Sequence, residues 1–513
     1  ALSKSTEQKI NSENLLLDNI NLSLAPLIIT FTAFGQHWQF DEKHRTCVVL
    51  KPQITIPSTV SQSPDGQWIV FVRDYNLWLR EVSSGDERPL TNDGEEFYRY
   101  AGKPTAVGFT DDNEVLNCLN LCWSPNSKRI FTVQRDSRKV LTHPVVNYVP
   151  KDGSLRPTVD HIKVAYAGDE YFEEYRLLFI DIETASCCEV KYPRLTVGQE
   201  DNGFCSISGR AWWADDSRRV YFIDYQGDYR KLSVIEVDTN TGATRKIFEE
   251  TSNTNVNIQP SYMDSSLYRY ISDSNELIWW SERSGWGHLY LYDLNTGQCK
   301  KTITQGNWLV RNILHVDSER RELLIQTAGR VEGRNPYYRD ICRVNIDTGE
   351  LTTVLSTDHE YGVHISARNA AENNMEMGAI PGKEASVSGV SPNGDFIVTT
   401  RSRVDQLPVY LLLTREGETL MELETADITS LPEGWYWPES VKLKAAAPEA
   451  DGTTYDIYST LFRPSNFCED KKYPLINMIV GGAWLSPIPI GSFHHTNGYT
   501  SRNFFWAQAL AEL

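Results

Sequence analysis

The sequence has no apolar run of 18 residues, so no stretch has the length and character of a membrane-spanning helix. Its first 30 residues also lack the basic segment and apolar core that mark a secretory leader. Positive charge is in short supply: 50 Lys and Arg stand against 68 Asp and Glu, for a formal net charge of −18. Such a balance repels a phosphate backbone and offers no basic stripe, which excludes nucleic acid as a partner. It would draw in a cationic ligand such as the free amine of a peptide, although an acidic surface also simply keeps a large protein in solution. The nine cysteines (47, 118, 122, 187, 188, 205, 299, 342 and 468) are odd in number and follow no metal-ligand spacing. Cys118 and Cys122 have no matching second pair, so neither a metal nor another cofactor is expected, and most cysteines read as small buried hydrophobes. The compartment and the oligomeric state stay open, with a homodimer among the options.

What the chain has in abundance is strand-forming residues and turn punctuation. Aromatics make up 11% of 513 residues, with 14 Trp and 25 Tyr. The 32 Gly and 23 Pro are scattered between apolar runs and never gather into a low-complexity tract. Such a composition favours a mostly β protein with many tight turns.

Between about residue 55 and residue 425 one phrase recurs. A turn of the Ser-Pro-Asp-Gly type leads into an apolar strand, then a second strand, a Thr-Gly or Ser-Gly turn, and a third strand. The clearest copy runs Ser63-Pro64-Asp65-Gly66, Trp68 to Phe71, Leu77 to Leu79, Ser84-Gly85 and Arg88 to Thr91. Later copies start at Ser124-Pro125-Asn126, Ala214 to Ser217, Ser272 to Asn275, Val316-Asp317-Ser318 and Ser391 to Gly394. Their hairpin turns include Asn240-Thr241-Gly242, Asn295-Thr296-Gly297, Asp347-Thr348-Gly349 and Glu416-Gly417. Proline presets the dihedral of a tight turn and Asp, Asn and Gly tolerate its other positions, so each tetrad between apolar runs predicts a hairpin. Six such copies predict a radial array of four-stranded blades, a β-propeller of seven or eight blades. Residues 26–50 (Ile28 to Phe31, Trp38 to Phe40, Cys47 to Leu50) are expected to add strands of an incomplete first blade. Residues 1–25, with Ser5-x-x-Gln8 ahead of Leu15, Leu16, Leu17 and Ile20, are expected to hold a short capped helix.

The pattern changes after the small, acidic stretch Ala445 to Gly452. The reading is therefore of three segments: 1–25, a propeller over 26–444, and a second unit over 445–513. Tyr455 to Phe462 alternates as a strand, and Leu475 to Val480 is a continuous apolar run of the kind buried in a central sheet, ending in Gly481-Gly482. Asn503 to Leu513 has helical spacing. Strand, strand, glycine turn and helix together suggest the first strands and helix of an α/β sheet. A start at Ala1 and a last residue in mid-pattern are what a fragment trimmed at both ends would show.

These residues resemble a known family. Blades of the Ser-Pro-Asp-Gly type, followed by Tyr455-Asp456, Phe462-Arg463-Pro464, Lys472-Tyr473-Pro474-Leu475 and Gly481-Gly482, resemble the dipeptidyl peptidase IV branch of the prolyl oligopeptidase clan. The strongest local likeness runs through Asp74 to Leu79, Leu90 to Gly94, Leu121 to Asn126 and Tyr166-Ala167-Gly168. The resemblance implies a propeller that gates and orients short peptides over an α/β-hydrolase domain.

That hydrolase needs a serine on a G-x-S-x-G turn, whose strain lifts the nucleophile clear of the sheet, followed in chain order by Asp and His. No such turn occurs; Gly389-Val390-Ser391-Pro392-Asn393 lacks the closing glycine and belongs to a blade. No catalytic residue is therefore expected within this chain. The pair His494-His495 precedes any nucleophile and sits in a Gly, Ser and Thr-rich loop, so it reads as an ordinary loop pair. Gly481-Gly482 falls where the hydrolase fold places its oxyanion loop, with backbone N–H groups facing the developing charge. The family carries a Tyr just before this glycine segment, where this chain has Val480; the departure marks either a subgroup that uses backbone donors alone or an inactive complete protein.

The resemblance also implies a Glu-Glu pair, a dozen residues ahead of a blade turn, that holds the cationic N-terminus of the substrate. That position carries Asp111 and Asp112 with Glu114 nearby, charge without the pair. Glu95-Glu96 and Glu173-Glu174 fall elsewhere in the repeat and are expected as solvated loop or strand-edge residues. Two functional readings follow: the gating part of a serine dipeptidyl or oligopeptidase, or a non-catalytic propeller that binds peptides or proteins.

Overall fold

A computed structural model of the chain describes residues 2–6, 17–24, 27–34, 36–41, 43–50, 60–102, 119–150, 153–196, 210–225, 229–258, 260, 267–363, 389–429, 431, 435–446, 452–479, 488–493 and 498–513. Its architecture follows from how each turn is wired. In the first Ser-Pro-Asp-Gly turn, the Ser63 hydroxyl donates to the Asp65 carboxylate and accepts the N–H of Trp68 at 3.0 Å, while the Gly66 N–H donates to the Ser63 carbonyl at 2.9 Å. The same circuit recurs at Ser124 with Asn126 and Arg129, and at Ser391 with Asn393 and Phe396. The fourth turn residue adopts a left-handed conformation at Gly66, Ser127, Ser217, Asn275 and Gly394, and in the copy that begins at Val316 the left-handed residue is Arg321, three after Ser318. The hairpin is thus written into four or five consecutive residues.

These hairpins build seven sheets, which form a seven-bladed propeller: residues 18–49, 60–89, 98–196, 211–251, 268–302, 309–355 and 360–425. Six are plain four-stranded antiparallel meanders. Blade 3 departs from the pattern three times, the simplest being an outer strand split into Cys187–Glu189 and Leu195–Thr196, both paired with Glu174–Asp181. Its second and third strands, Arg129–Asp136 and Glu174–Asp181, are separated by a protruding hairpin of Thr142–Asn147 and Thr158–Lys163. Its first strand is broken in two: Tyr98–Tyr100 and Leu121–Trp123 both pair with Arg129–Asp136.

Neighbouring blades share apolar cores. Leu77, Leu79, Ile130 and Ile180 join blades 2 and 3; Phe131, Phe179, Trp213 and Phe222 join blades 3 and 4. Trp212, Tyr221, Tyr268 and Trp279 join blades 4 and 5; Ile278, Leu289, Ile313 and Ile325 join 5 and 6; Leu324, Ile341, Ile397 and Leu413 join 6 and 7. Polar links add register between turns, since Ser127 Oγ accepts the Asp65 N–H at 3.1 Å and Ser217 Oγ accepts the Asn126 N–H at 3.2 Å.

Blade 1 differs from the expectation of an incomplete sheet. Asp18–Leu24 supplies a fourth strand, paired antiparallel with Leu27–Ala33, so the blade is whole. The helix at the N-terminus is confined, among the described residues, to Leu2–Thr6. The apolar residues ahead of position 25 thus serve in part a strand, because a sheet edge at residues 27–33 offered hydrogen bonds that an isolated helix could not match. The blade keeps a small core of its own, Phe31, Ala33, Trp38 and Cys47.

After blade 7 the chain forms an antiparallel hairpin, Glu439–Ala446 with Thr454–Leu461, and a helix, Gly498–Glu512. The boundary expected at 444/445 falls inside the first of these strands. The helix is held by Phe504, fully buried against Phe462, and by Gln508, whose amide donates to the Arg463 carbonyl. The apolar run expected as a buried strand differs from that reading: residues 475–479 carry no ladder partner, and Leu475 and Ile479 are 82% and 76% exposed. A central strand needs a neighbour on each edge, and no described strand lies beside this one.

Candidate functional site

The break in the first strand of blade 3 is the most distinctive departure from regular blade geometry. Tyr98–Tyr100 pairs with Gln134, Arg135 and Asp136, Leu121–Trp123 pairs with Ile130, Phe131 and Thr132, and Val133 lies between the two pairings. The two roots are stitched together. The Ala101 N–H donates to the Val133 carbonyl at 2.8 Å, the Asn120 N–H to the Ala101 carbonyl at 3.1 Å, and the Thr132 hydroxyl to the Asn120 carbonyl at 2.9 Å. Asn120 is fully buried, and its side-chain amide reaches the Gly102 carbonyl at 3.4 Å. Gly102 sits so close to Arg99 and Arg135 that a Cβ there would lie 3.1–3.2 Å from their side chains.

The floor beneath these roots is polar and buried. Arg135 donates through Nη2 to Glu173, and Tyr175 donates its hydroxyl to the other Glu173 oxygen at 2.7 Å. Arg176 donates to Gln134 and lies 3.8 Å from Asp93 and 3.6 Å from Glu189. Burial works against the Arg176 charge, yet Tyr98, Tyr100 and Glu189 around it outweigh that effect and hold its pKa above the ordinary value. Burial, then the hydrogen bond to Asp93 at 2.6 Å, pushes the Tyr100 hydroxyl pKa far up, so it stays a neutral donor.

The two Glu pairs can now be placed. Glu95 is exposed and ion-paired with Arg138 at 2.8 Å, and Glu174 is paired with Arg194 at 3.1 Å, both at the surface as expected. Glu173 differs from the expectation: it is buried, because Arg135 and Tyr175 supply the partners a buried carboxylate requires. Each of these three carboxylates therefore has a guanidinium partner already. Asp111, Asp112 and Glu114 lie in 103–118, outside the described residues, as do Val480, Gly481 and Gly482 and the pair His494-His495. Arg99, Arg135, Tyr175 and Arg176 were not singled out from sequence. The signal that could have found Arg135 is the polar triplet Gln134-Arg135-Asp136 ending an otherwise apolar strand.

Comparison with known proteins decides the lineage. The family model described as "Dipeptidyl peptidase IV (DPP IV) N-terminal region" matches residues 29–377, more than half of the chain. The chain belongs to this family. Among its relatives is the dipeptidyl aminopeptidase B of Saccharomyces cerevisiae, 23% identical over 70% of this chain and 44% of that protein. The "Probable dipeptidyl-aminopeptidase B" of Aspergillus terreus is 22% identical over 87% of this chain and 46% of that protein. The chain thus spans about half the length of the curated relatives it matches. Among solved structures, Porphyromonas gingivalis dipeptidyl peptidase 4 superposes with a TM-score of 0.60 at 16% identity, covering 91% of this chain and 60% of that one. At that identity the likeness shows the fold.

As a dipeptidyl peptidase IV N-terminal region, the chain places its largest departure from regular blade geometry at the broken strand of blade 3. No group of three or more His, Cys, Asp or Glu residues able to hold a metal ion occurs among the described residues.

Proposed function

We propose that the chain is the gating and substrate-orienting propeller of a serine-type dipeptidyl or oligopeptidase acting on short peptides, with residues 445–513 opening its α/β-hydrolase domain. The observation that supports this reading is the interrupted first strand of blade 3, between whose two halves the sequence carries Asp111, Asp112 and Glu114. Carboxylates in a confined, partly dry cavity bind an ammonium group by charge-assisted hydrogen bonds and so fix one end of a peptide. The neighbouring carboxylates Glu95, Glu173 and Glu174 are each engaged by an arginine, which leaves that task to the segment. Gly481 and Gly482 would supply backbone donors to the oxyanion, with Val480 in place of the family's tyrosine.

Two measurements test the reading. The gene should continue past Leu513 for roughly 200 residues and encode a G-x-S-x-G turn with a later Asp and His, as the hydrolase fold requires. In that longer protein, Asp111→Asn with Asp112→Asn should raise KM for peptides with a free N-terminus and leave N-acetylated peptides unaffected. A frame that stops near Leu513 ends the reading.

A second reading, a non-catalytic propeller that binds peptides or proteins, is favoured by Val480. Labelling the longer protein with a serine-directed phosphonate separates the two, since only a peptidase acquires the label at a single Ser.

A further inference from the structure

The short segment 488–493 is fastened far more firmly than a surface connection needs. Ser492 is fully buried; its N–H donates to Ser402 Oγ at 3.1 Å and its hydroxyl donates to the backbone carbonyl of Gln406. The Ser402 hydroxyl is itself within 3.1 Å of that same carbonyl. Next in the chain, Phe493 adopts a left-handed backbone, φ 52°, that a bulky side chain takes up only where its surroundings hold it there. Its ring lies 6.2 Å from Trp435, 5.9 Å from Trp437 and 5.2 Å from Phe504. On the other side, Thr460 donates its hydroxyl to the Pro489 carbonyl at 2.9 Å.

The receiving end on blade 7 is equally specific. The pairing of Phe396–Arg403 with Gln406–Thr414 slips between Arg401 and Arg403, so Ser402 stands opposite two bulged residues, Leu407 and Pro408, while on its other side it pairs with Glu360. A bulge bends its strand locally, and across from this one the Ser402 hydroxyl meets Ser492. The turn beyond it is held in place: Arg403 pairs with Asp358 and Asp405, and the Gln406 side chain contacts His359 Nε2 at 2.9 Å. His359 in turn contacts the Thr357 hydroxyl, which meets the Tyr361 hydroxyl at 2.7 Å. A polar chain therefore runs from the terminal unit to the first strand of blade 7.

We propose that Ser492 and Ser402, the residue facing the bulge, form a latch that makes blade 7 and the terminal unit move as one body. The hinge would otherwise lie in the connection after Thr425, so the latch fixes the distance between propeller and terminal helix at a second, independent point. This inference goes beyond the peptidase reading, and its readout needs no catalysis: a protein without peptidase activity would leave it standing.

Hydrogen–deuterium exchange on the full chain tests it, comparing Ser492→Ala, Ser402→Ala and the double variant. The expected result is roughly tenfold faster exchange in peptides covering 488–513, the size set by stranding one buried hydrogen-bonding group, with blades 4 to 6 unchanged. Ser402→Ala removes the acceptor of the Ser492 N–H and Ser492→Ala removes the donor to the Gln406 carbonyl, and because these two contacts adjoin each other, the double variant should speed exchange by less than the product of the two single effects. Unchanged exchange in 488–513, an increase shared equally by blades 4 to 6, or additive effects of the two substitutions would each overturn the latch.

Discussion

Arg135 and Glu173 form an ion pair closed off from water across blade 3, their side chains 3% and 11% exposed, directly beneath the break in the blade's first strand. The pair lies where Arg135 stands opposite Tyr175 in the ladder, and the tyrosine hydroxyl completes the carboxylate's hydrogen bonds. A buried pair of this kind contributes little over an apolar substitute, yet removing one partner strands a charge.

Arg135→Met should therefore destabilise the protein by about 3–5 kcal/mol. The double change Arg135→Met with Glu173→Met should recover most of the loss, and urea-unfolding midpoints of the three variants measure both. A double variant as unstable as the sum of its single changes would mean the two side chains are not coupled.

The glycine turns of blades 4, 5 and 7 approach the preceding blade so closely that a Cβ would clash with its backbone. A Cβ at Gly242 would lie 2.3 Å from the Glu189 carbonyl oxygen, at Gly297 2.1 Å from that of Ile247, and at Gly417 2.5 Å from that of Val354. Gly85, in the corresponding turn of blade 2, has the same positive φ and nothing within 4 Å. Gly85→Ala should cost only the left-handed backbone penalty, about 1–2 kcal/mol. Gly297→Ala should cost clearly more, since a blade must also shift. Equal losses in thermal unfolding would refute the close approach.

His288 is a buried imidazole whose Nε2 lies 2.9 Å from the Gly306 carbonyl and whose Nδ1 lies 3.0 Å from the Thr304 hydroxyl. Burial holds its pKa below the ordinary value, against a weaker pull upward from Gly306. The unfolded chain takes up this proton near pH 6.5 and the folded chain only at lower pH. Stability from this group is complete above pH 6.5 and is lost as the pH falls toward the folded value. His359, also lowered chiefly by burial, adds with the same sign. The unfolding midpoint should fall between pH 7 and pH 5, with a shallower fall in His288→Gln; an unchanged slope would remove His288 from the account.

Leu475, Ile476 and Ile479 present an apolar strip to solvent. The chain should bind a hydrophobic dye there, and Leu475→Gln with Ile479→Lys should reduce that binding without lowering the melting temperature. A large drop in melting temperature would show the strip to be packed.

The blade grammar was legible because its wiring is local. Ser63, Asp65 and Gly66 settle their turn among themselves, as do Ser391, Asn393 and Gly394. The candidate site was legible only as an acidic segment ahead of Ser124. The buried floor under it was hidden, because Glu173 beside Glu174 looks the same in sequence whether or not Arg135 faces it. The strand at Asp18–Leu24 was hidden for a similar reason: its apolar residues suit a helix until residues 27–33 offer an edge.

Composition and turn chemistry alone determined that this chain makes a ring of β-blades, since each hairpin depends on dihedral preferences within four or five residues. The tertiary structure alone decided which charges are buried, which glycines are irreplaceable, and that Ser402 meets Ser492. Those outcomes depend on atoms brought together from positions 38 to 90 residues apart, as Arg135 with Glu173 and Ser402 with Ser492 show, and no local preference encodes them.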